Sequence, residues 1–468
     1  MGSISAFYTM PHPPIIIPEV GRGEERKIKA TADAMDKAAT EIASSDADTI
    51  IIITPHGPVF SDAVALTYDN SIKGTLGKFG APQVSFEQEI DIALTEKIIE
   101  LSAEENILSA RITKSSAKRY NIDYELDHGT IVPLYFINKR FPKFKLVHIT
   151  YGMLPKMQLY KFGMCIRKAV EESDVKAVFI ASGDLSHKLS ETGPYGYTPE
   201  GEAFDKEIIS LLEKGDALGV FNMDCNMVEK AAECGLRSYY IMLGAMDGFD
   251  IKGKPLSYEG TFGVGYSVMG FSLKKGKIGA YKTILDENRK KYNQKINTSD
   301  PYVRLARESL TYYLLHGEYM DHVPAYVTDE MRNTKRGVFV SLKKEKQLRG
   351  CIGTIFPVTK SIAQEIIRNA VEAGTQDPRF SPVTEDELEE IDFSVDVLTE
   401  AQKAVKKELD PKKYGVIVRW RSKTGLLLPD LEGVDTVEEQ ISIALQKAGI
   451  PNSADYSMEK FQVIRHKE

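Results

Sequence analysis

TIIIITPHGP, Thr49 to Pro58, is the stretch on which the fold turns. Four isoleucines in succession leave no polar face, which is the pattern of a strand buried on both sides. Such a strand belongs to a parallel sheet covered by helices on both faces. It stops at a proline, and the first polar side chain beyond it is His56. KLVHIT (Lys145 to Thr150) and VKAVFIA (Val175 to Ala181) read the same way, and ISAFY (Ile4 to Tyr8) is a shorter strand. Helical patterns lie between them, in ERKIKATADAMDKAATEIASS and MQLYKFGMCIRKAVEES. The alternation predicts an α/β domain, an open sheet with flanking helices, over residues 1–273.

The bulk numbers set limits around this core. A chain of 468 residues is too long for one ordinary core. With 42% hydrophobic and 27% charged residues it has globular composition, and a net charge of −7 argues against a general nucleic-acid surface. Four cysteines at irregular spacing form neither a disulfide framework nor a CxxC zinc site. No apolar run approaches the ~18 residues of a membrane span, and the first twenty residues lack a signal-peptide pattern. The expectation is a cytoplasmic protein with no membrane partner. Beyond Phe271 the chain turns polar and lysine-rich, which predicts a linker over 274–300 with room for helix in part of it. A second unit, 301–468, opens with the helix YVRLARESLTYYLLHG. It continues through the strand RGVFVSL, a Gly-bounded turn at LRGCIG, and a helix over Ser361–Ala373. Strands IDFSVDVLT and YGVIVRW and a helix near VEEQISIALQKAG complete an α+β pattern.

Histidines are scarce, eight in all, and their positions carry the chemistry. His12, between two prolines in TMPHPPIIIP, follows ISAFY; His56 follows TIIII; His187, in SGDLSH, follows VFIA. His128, in ELDHGTIVPLYFIN, opens a helix. In an open α/β sheet ligands bind beyond the carboxyl ends of the strands, so parallel strands bring these histidines together. Convergent imidazoles serve either a metal or acid–base catalysis. Two histidines with one carboxylate make a non-haem Fe(II) site, and Glu259 in SYEGTFGVGYSVMGF precedes a Gly-rich strand. A solvated loop acid is the alternative for Glu259. His148 lies inside KLVHIT and reads as a core histidine.

PHPP, TPHGP, LDHGT, SGDLSH and SYEG, in this order, resemble the class III extradiol ring-cleavage dioxygenases of the LigB type. The resemblance covers about residues 4–273. It implies Fe(II), with zinc or manganese as substitutes, on His12, His56 and Glu259. It further implies His187 as the acid–base group and His128 as a contact to substrate or oxygen, with Asp127 and Asp184 orienting imidazoles or capping turns. The implied reaction opens a catechol-type aromatic ring with dioxygen, and a homodimer is expected because relatives assemble as dimers or larger. Tyr195, Tyr197 and Tyr258 are candidate ring contacts.

The second half resembles the AMMECR family through LRGCIGTI (Leu348 to Ile355), QDPRFSPV, FSVDVLTE and GLLLPD. Members of that family occur beside Memo proteins, which share the dioxygenase-like fold, and a radical S-adenosylmethionine enzyme. This resemblance implies a two-member fusion and, as alternative function, non-oxygenase iron chemistry with a radical S-adenosylmethionine partner. Memo relatives tend to carry cysteine in place of the glutamate. Cys351 is a candidate nucleophile, with Arg349 beside it and Asp377 and Arg379 completing a polar site. A small buried hydrophobe in a tight turn is the alternative.

Overall fold

A computed structural model describes residues 2–276, 279–344, 346–431 and 433–468. The chain divides into two compact units, Met1–Leu285 and Asp286–Glu468.

The first unit is built on an eight-stranded sheet. Its strands are β1 (Ser3–Met10), β2 (Thr49–Thr54), β3 (Val64–Thr67), β6 (Ser109–Ile112), β7 (Lys145–Thr150), β8 (Lys176–Ser182), β9 (Phe249–Glu259) and β10 (Tyr266–Lys275). Their order is β6-β3-β7-β2-β8-β1-β10-β9. A separate hairpin pairs β4 (Ser71–Leu76) with β5 (Ala81–Glu89). The four isoleucines of β2 are fully buried and divide between two cores. Ile51 and Ile53 join the cluster holding Phe162, Phe179 and Tyr239, and Ile50 and Ile52 join the one holding Met35, Ile131 and Val178. Two-faced burial is the physical content of the apolar run.

β7, β2, β8 and β1 are mutually parallel. The carboxyl ends of β2, β8 and β1 therefore lie side by side, about 4.8 Å from strand to strand. β10 runs antiparallel to β1 and β9 antiparallel to β10. The glycine pattern after Glu259 is not a strand but the turn joining β9 to β10. Gly263 takes a left-handed φ of 79° there, which a side chain would strain. The stretch expected to be a linker contains a helix, Ala280–Thr298; residues 277 and 278 of it lie outside the described residues. Its lysine, glutamine and glutamate content gives it good intrinsic helix propensity despite the weak apolar pattern.

The second unit carries two four-stranded sheets. One has the order β12-β11-β13-β18, from β11 (Val338–Lys344), β12 (Gln347–Gly353), β13 (Ile391–Leu398) and β18 (Val463–Lys467). The other has the order β14-β17-β15-β16, from β14 (Gln402–Lys403), β15 (Gly415–Trp420), β16 (Lys423–Leu427) and β17 (Ser457–Phe461). Helices Pro301–His316 and Ile362–Thr375 pack on the first sheet through Leu305, Leu310, Ile366 and Ala370. LRGCIG is an edge strand, not the expected turn. Its glycines serve contact: a Cβ on Gly350 would lie 2.1 Å from the Ala373 carbonyl oxygen, and one on Gly353 would strike the Phe339 ring.

Candidate metal centre

β1 ends at Met10, and the stiff Pro11-His12-Pro13 segment follows it. Proline fixes the backbone on both sides of His12, so its imidazole is aimed before any ligand arrives. The residue is 1% exposed. Its Nδ1 lies 2.9 Å from Ser182 Oγ, and that hydroxyl donates to the Gly129 carbonyl at 2.5 Å. With its proton so used, Ser182 can only accept from His12, which places the imidazole proton on Nδ1. Nε2 then carries a lone pair, and fixing the outer nitrogen in this way is how proteins orient a metal-binding histidine.

That lone pair faces His56, whose Nε2 is 3.0 Å away. His12, His56 and His128 hold their ring nitrogens within 4.8 Å of one another. His128 stacks on His56 with ring centroids 4.2 Å apart. Two further donors approach His12 Nε2: Cys234 Sγ at 3.6 Å and Asp184 Oδ2 at 3.9 Å. Asp184 Oδ1 accepts the His12 backbone N–H at 2.8 Å. Imidazole, thiol and carboxylate together suit a divalent transition metal and not the all-oxygen preference of magnesium or calcium. An ion about 2.0–2.1 Å from each imidazole nitrogen fits beside a 3.0 Å pair.

Burial, the mutual charge of the rings and the absence of enough compensating negative charge keep these histidines neutral. Burial drives His12 far below the usual imidazole value and His128 down to about 3, and lowers His56 and His187. Burial also pushes the Asp184 carboxyl up to about 6 and that of Asp205 up to about 7. The histidines protonate in the unfolded chain near 6.5 but not in the folded one, so their contribution is present above that pH and lost on acidification. The two acids act oppositely, favouring the folded state at low pH and costing stability as pH rises through 6 to 7. Four histidines outweigh two acids, so the metal-free protein is expected to lose stability between pH 6 and 4. Thermal melts across that window check this, and a melting temperature that rises on acidification contradicts it.

Glu259 stands elsewhere. Its Oε2 accepts from the Thr31 N–H at 2.7 Å and from Thr31 Oγ1 at 2.6 Å, in the first turn of the helix Lys29–Ala43. The physical reason is twofold. β9 is the edge strand, separated from β1 by β10, and the unpaired amides of a helix N-terminus attract a carboxylate. Asp184 and Cys234 are the acidic and sulfur groups that reach the histidines instead. Cys234 was invisible as a motif, yet its setting has a sequence signal in two glycines, SGD and ECG. A Cβ on Gly183 would lie 2.1 Å from Gly235 Cα, so the two segments meet backbone to backbone. The Asp184 N–H donates to Cys234 Sγ at 3.3 Å across that contact.

His187 follows β8, with its N–H donating to the Ala231 carbonyl and its ring stacked on Tyr195 at 5.1 Å. Asp127 is hydrogen-bonded around His148, and its charge also acts on His12, His56 and His128. Its carboxylate takes bonds from Thr54 Oγ1 (2.6 Å) and Thr130 Oγ1 (3.2 Å) and lies 3.3 Å from His148 Nε2. His148 is buried and satisfied, its Nδ1 lying 2.8 Å from Thr67 Oγ1. Tyr258 donates its hydroxyl to Asp205 at 2.8 Å.

In the second unit Cys351 is half-buried on β12, and Ser341 Oγ lies 3.2 Å from its sulfur. The acid and base expected around it clamp its backbone: Asp377 accepts the Cys351 N–H at 2.9 Å, and Arg379 donates to its carbonyl at 3.3 Å. Arg349 is engaged by Glu387 and by the Ser381 and Pro382 carbonyls. The guanidinium expected to activate the thiol is spent on that network.

With this geometry in place, the family comparison is decisive. The model of the catalytic LigB subunit of aromatic ring-opening dioxygenase matches residues 6–269, more than half of the chain. The chain belongs to the LigB family. The AMMECR1 model matches residues 303–467, so this is a LigB unit fused to an AMMECR1 unit. Protein CA_C1420 of Clostridium acetobutylicum is 56% identical over 466 residues and is covered completely, as is this chain. A Thermotoga maritima protein is 47% identical over 170 residues, 36% of this chain and 97% of its own length. Among solved structures, the uncharacterized protein JW3007 from Escherichia coli K12 aligns over 57% of this chain and 98% of its own, with 13% identity and a TM-score of 0.38. Among the described residues no helix is long and apolar enough to cross a membrane.

Proposed function

We propose that the LigB unit is a non-haem iron enzyme that opens a catechol-type ring with dioxygen. The observation that carries this reading is the pair of imidazole Nε2 atoms 3.0 Å apart, that of buried His12 and that of solvent-reached His56, beyond the sheet's carboxyl ends. His12 and His56 would hold Fe(II), with Asp184 and Cys234 as the nearest further donors; the same set accepts zinc or manganese. Bound there, the metal would supply Lewis acidity to the diol oxygens, and Fe(II) would relay to dioxygen the electrons that the aromatic ring gives up.

The chain's own groups do the rest. His187, kept neutral by burial, is the proton acceptor for a phenolic hydroxyl. His128, stacked on His56, presents its ring to the same space and supports negative charge developing there. The prolines beside His12 hold the first ligand so that little ordering entropy is lost on binding.

Cys234 favours a second reading. A sulfur donor softens the site, which suits iron chemistry without dioxygen on an aromatic or small organic substrate, alongside a radical S-adenosylmethionine partner. Fe(II)-loaded protein given air and a panel of catechols separates the two. Oxygen uptake with a yellow ring-opened product is expected; metal-replete protein that consumes no oxygen across the panel contradicts the first reading and favours the second.

A further inference from the structure

The rim of the metal centre carries two aromatic rings that the core does not absorb. Phe79 is 39% exposed and Tyr195 58% exposed, yet each lies on a histidine of the site. The Phe79 ring is 5.0 Å from that of His128, tilted at 59°, and the Tyr195 ring is stacked on His187 at 24°.

Neither ring reaches its place by collapse onto apolar neighbours; each is carried there by backbone. Phe79 ends a short turn, Gly77–Phe79, at the tip of the β4–β5 hairpin. That hairpin is tied down where it approaches the loop before His128. The Leu126 N–H donates to the Lys73 carbonyl at 2.8 Å, and Gly74 packs so closely that a Cβ would lie 2.5 Å from the Leu126 carbonyl oxygen. Lys78, next to Phe79, pairs with Asp123 at 2.9 Å and Glu125 at 2.8 Å on the same loop. Tyr195 sits in a loop closed by Gly193 N–H to Ser190 O and by Leu189 N–H to Gly263 O, both 3.0 Å. The Gly193–Gly263 contact is close, a Cβ on Gly193 falling 3.3 Å from Gly263 Cα, so a side chain there would require the neighbour to give by a few tenths of an ångström.

A polar, charge-handling centre thus holds two apolar faces at its edge, and water wets both. We propose that Phe79 and Tyr195 are the specificity-determining residues of this site: they select a planar aromatic ligand over other chelating oxygen ligands. The inference rests on the catechol reading above and adds to it which residues recognise the ring. An offset or edge contact with one ring is worth enough to change affinity several-fold to tenfold. An aliphatic chelator that binds through the same two oxygens gains nothing from either ring.

Calorimetric titration of Zn(II)-loaded protein with catechol and with glycolate tests this without turnover. Phe79→Ala and Tyr195→Ala are each expected to weaken catechol about tenfold while glycolate affinity and zinc content stay within twofold. Phe79→Leu, which keeps bulk and loses the ring, should behave as Phe79→Ala does. Equal weakening of both ligands, or catechol affinity unchanged in both alanine variants, overturns the proposal and leaves the catechol reading standing. Zinc-loaded wild-type protein that binds glycolate but not catechol overturns both.

Discussion

His12→Ala and His56→Ala are each expected to lower Fe(II) affinity by at least about 100-fold, whereas Glu259→Gln should bind iron as the wild type does. Removing either imidazole takes away one of two lone pairs held 3.0 Å apart, and losing even an outer-shell partner of a ligand costs 10- to 100-fold. His12 should be the more damaging, because its orientation is fixed by Ser182 through Nδ1 and by the prolines through the backbone. Glu259, by contrast, is committed to the Thr31 N–H and hydroxyl. Glutamine keeps an acceptor there, so the expected cost is a fraction of the roughly 1 kcal/mol of a helix cap. Metal content after loading and desalting, measured side by side, checks all three. Iron lost from Glu259→Gln and retained by His12→Ala would reverse the assignment.

The largest effect on folding is expected from Gly183→Ala. The added methyl would sit 2.1 Å from Gly235 Cα, which is backbone and cannot rotate away. Overpacking of this kind costs up to about 3 kcal/mol when the main chain must shift. The shift would also part Asp184 from Cys234, since the Asp184 N–H to sulfur bond spans that contact. Reduced thermal stability together with weaker metal binding is therefore expected from one methyl group on a residue that itself touches no ligand atom. Chemical denaturation with and without zinc measures both; a variant as stable as the wild type would show that the two loops are free to separate.

Much of this was legible in the sequence, and the reasons differ by element. The isoleucines of β2 announced burial on both faces because four β-branched apolar residues in succession leave no wet side. From that strand followed the parallel neighbours, and from them the placing of His12, His56 and His187 just beyond adjacent strand ends; the ring nitrogens that gather within 4.8 Å are those of His12, His56 and His128. His128 at the start of a helix was equally plain, as His128–Asn138 begins on it. Glu259 reads ambiguously because a carboxylate beside glycines looks the same in a site and in a helix cap; in the structure its Oε2 accepts from Thr31. Cys234 was hidden because its proximity depends on a contact between two loops 50 residues apart. LRGCIG reads as a turn in the sequence because glycine is permissive of turns, whereas in the fold it admits Ala373 and Phe339 to the strand. Phe79 gave no signal, since hairpin register, not local pattern, delivers it to His128.

X-ray absorption at the iron edge of Fe(II)-loaded protein tests the central claim most directly. The account predicts an inner shell containing two imidazole nitrogens in the wild type and a single one in His56→Ala. Iron whose shell shows no imidazole scattering, or whose shell is unchanged in that variant, would contradict it.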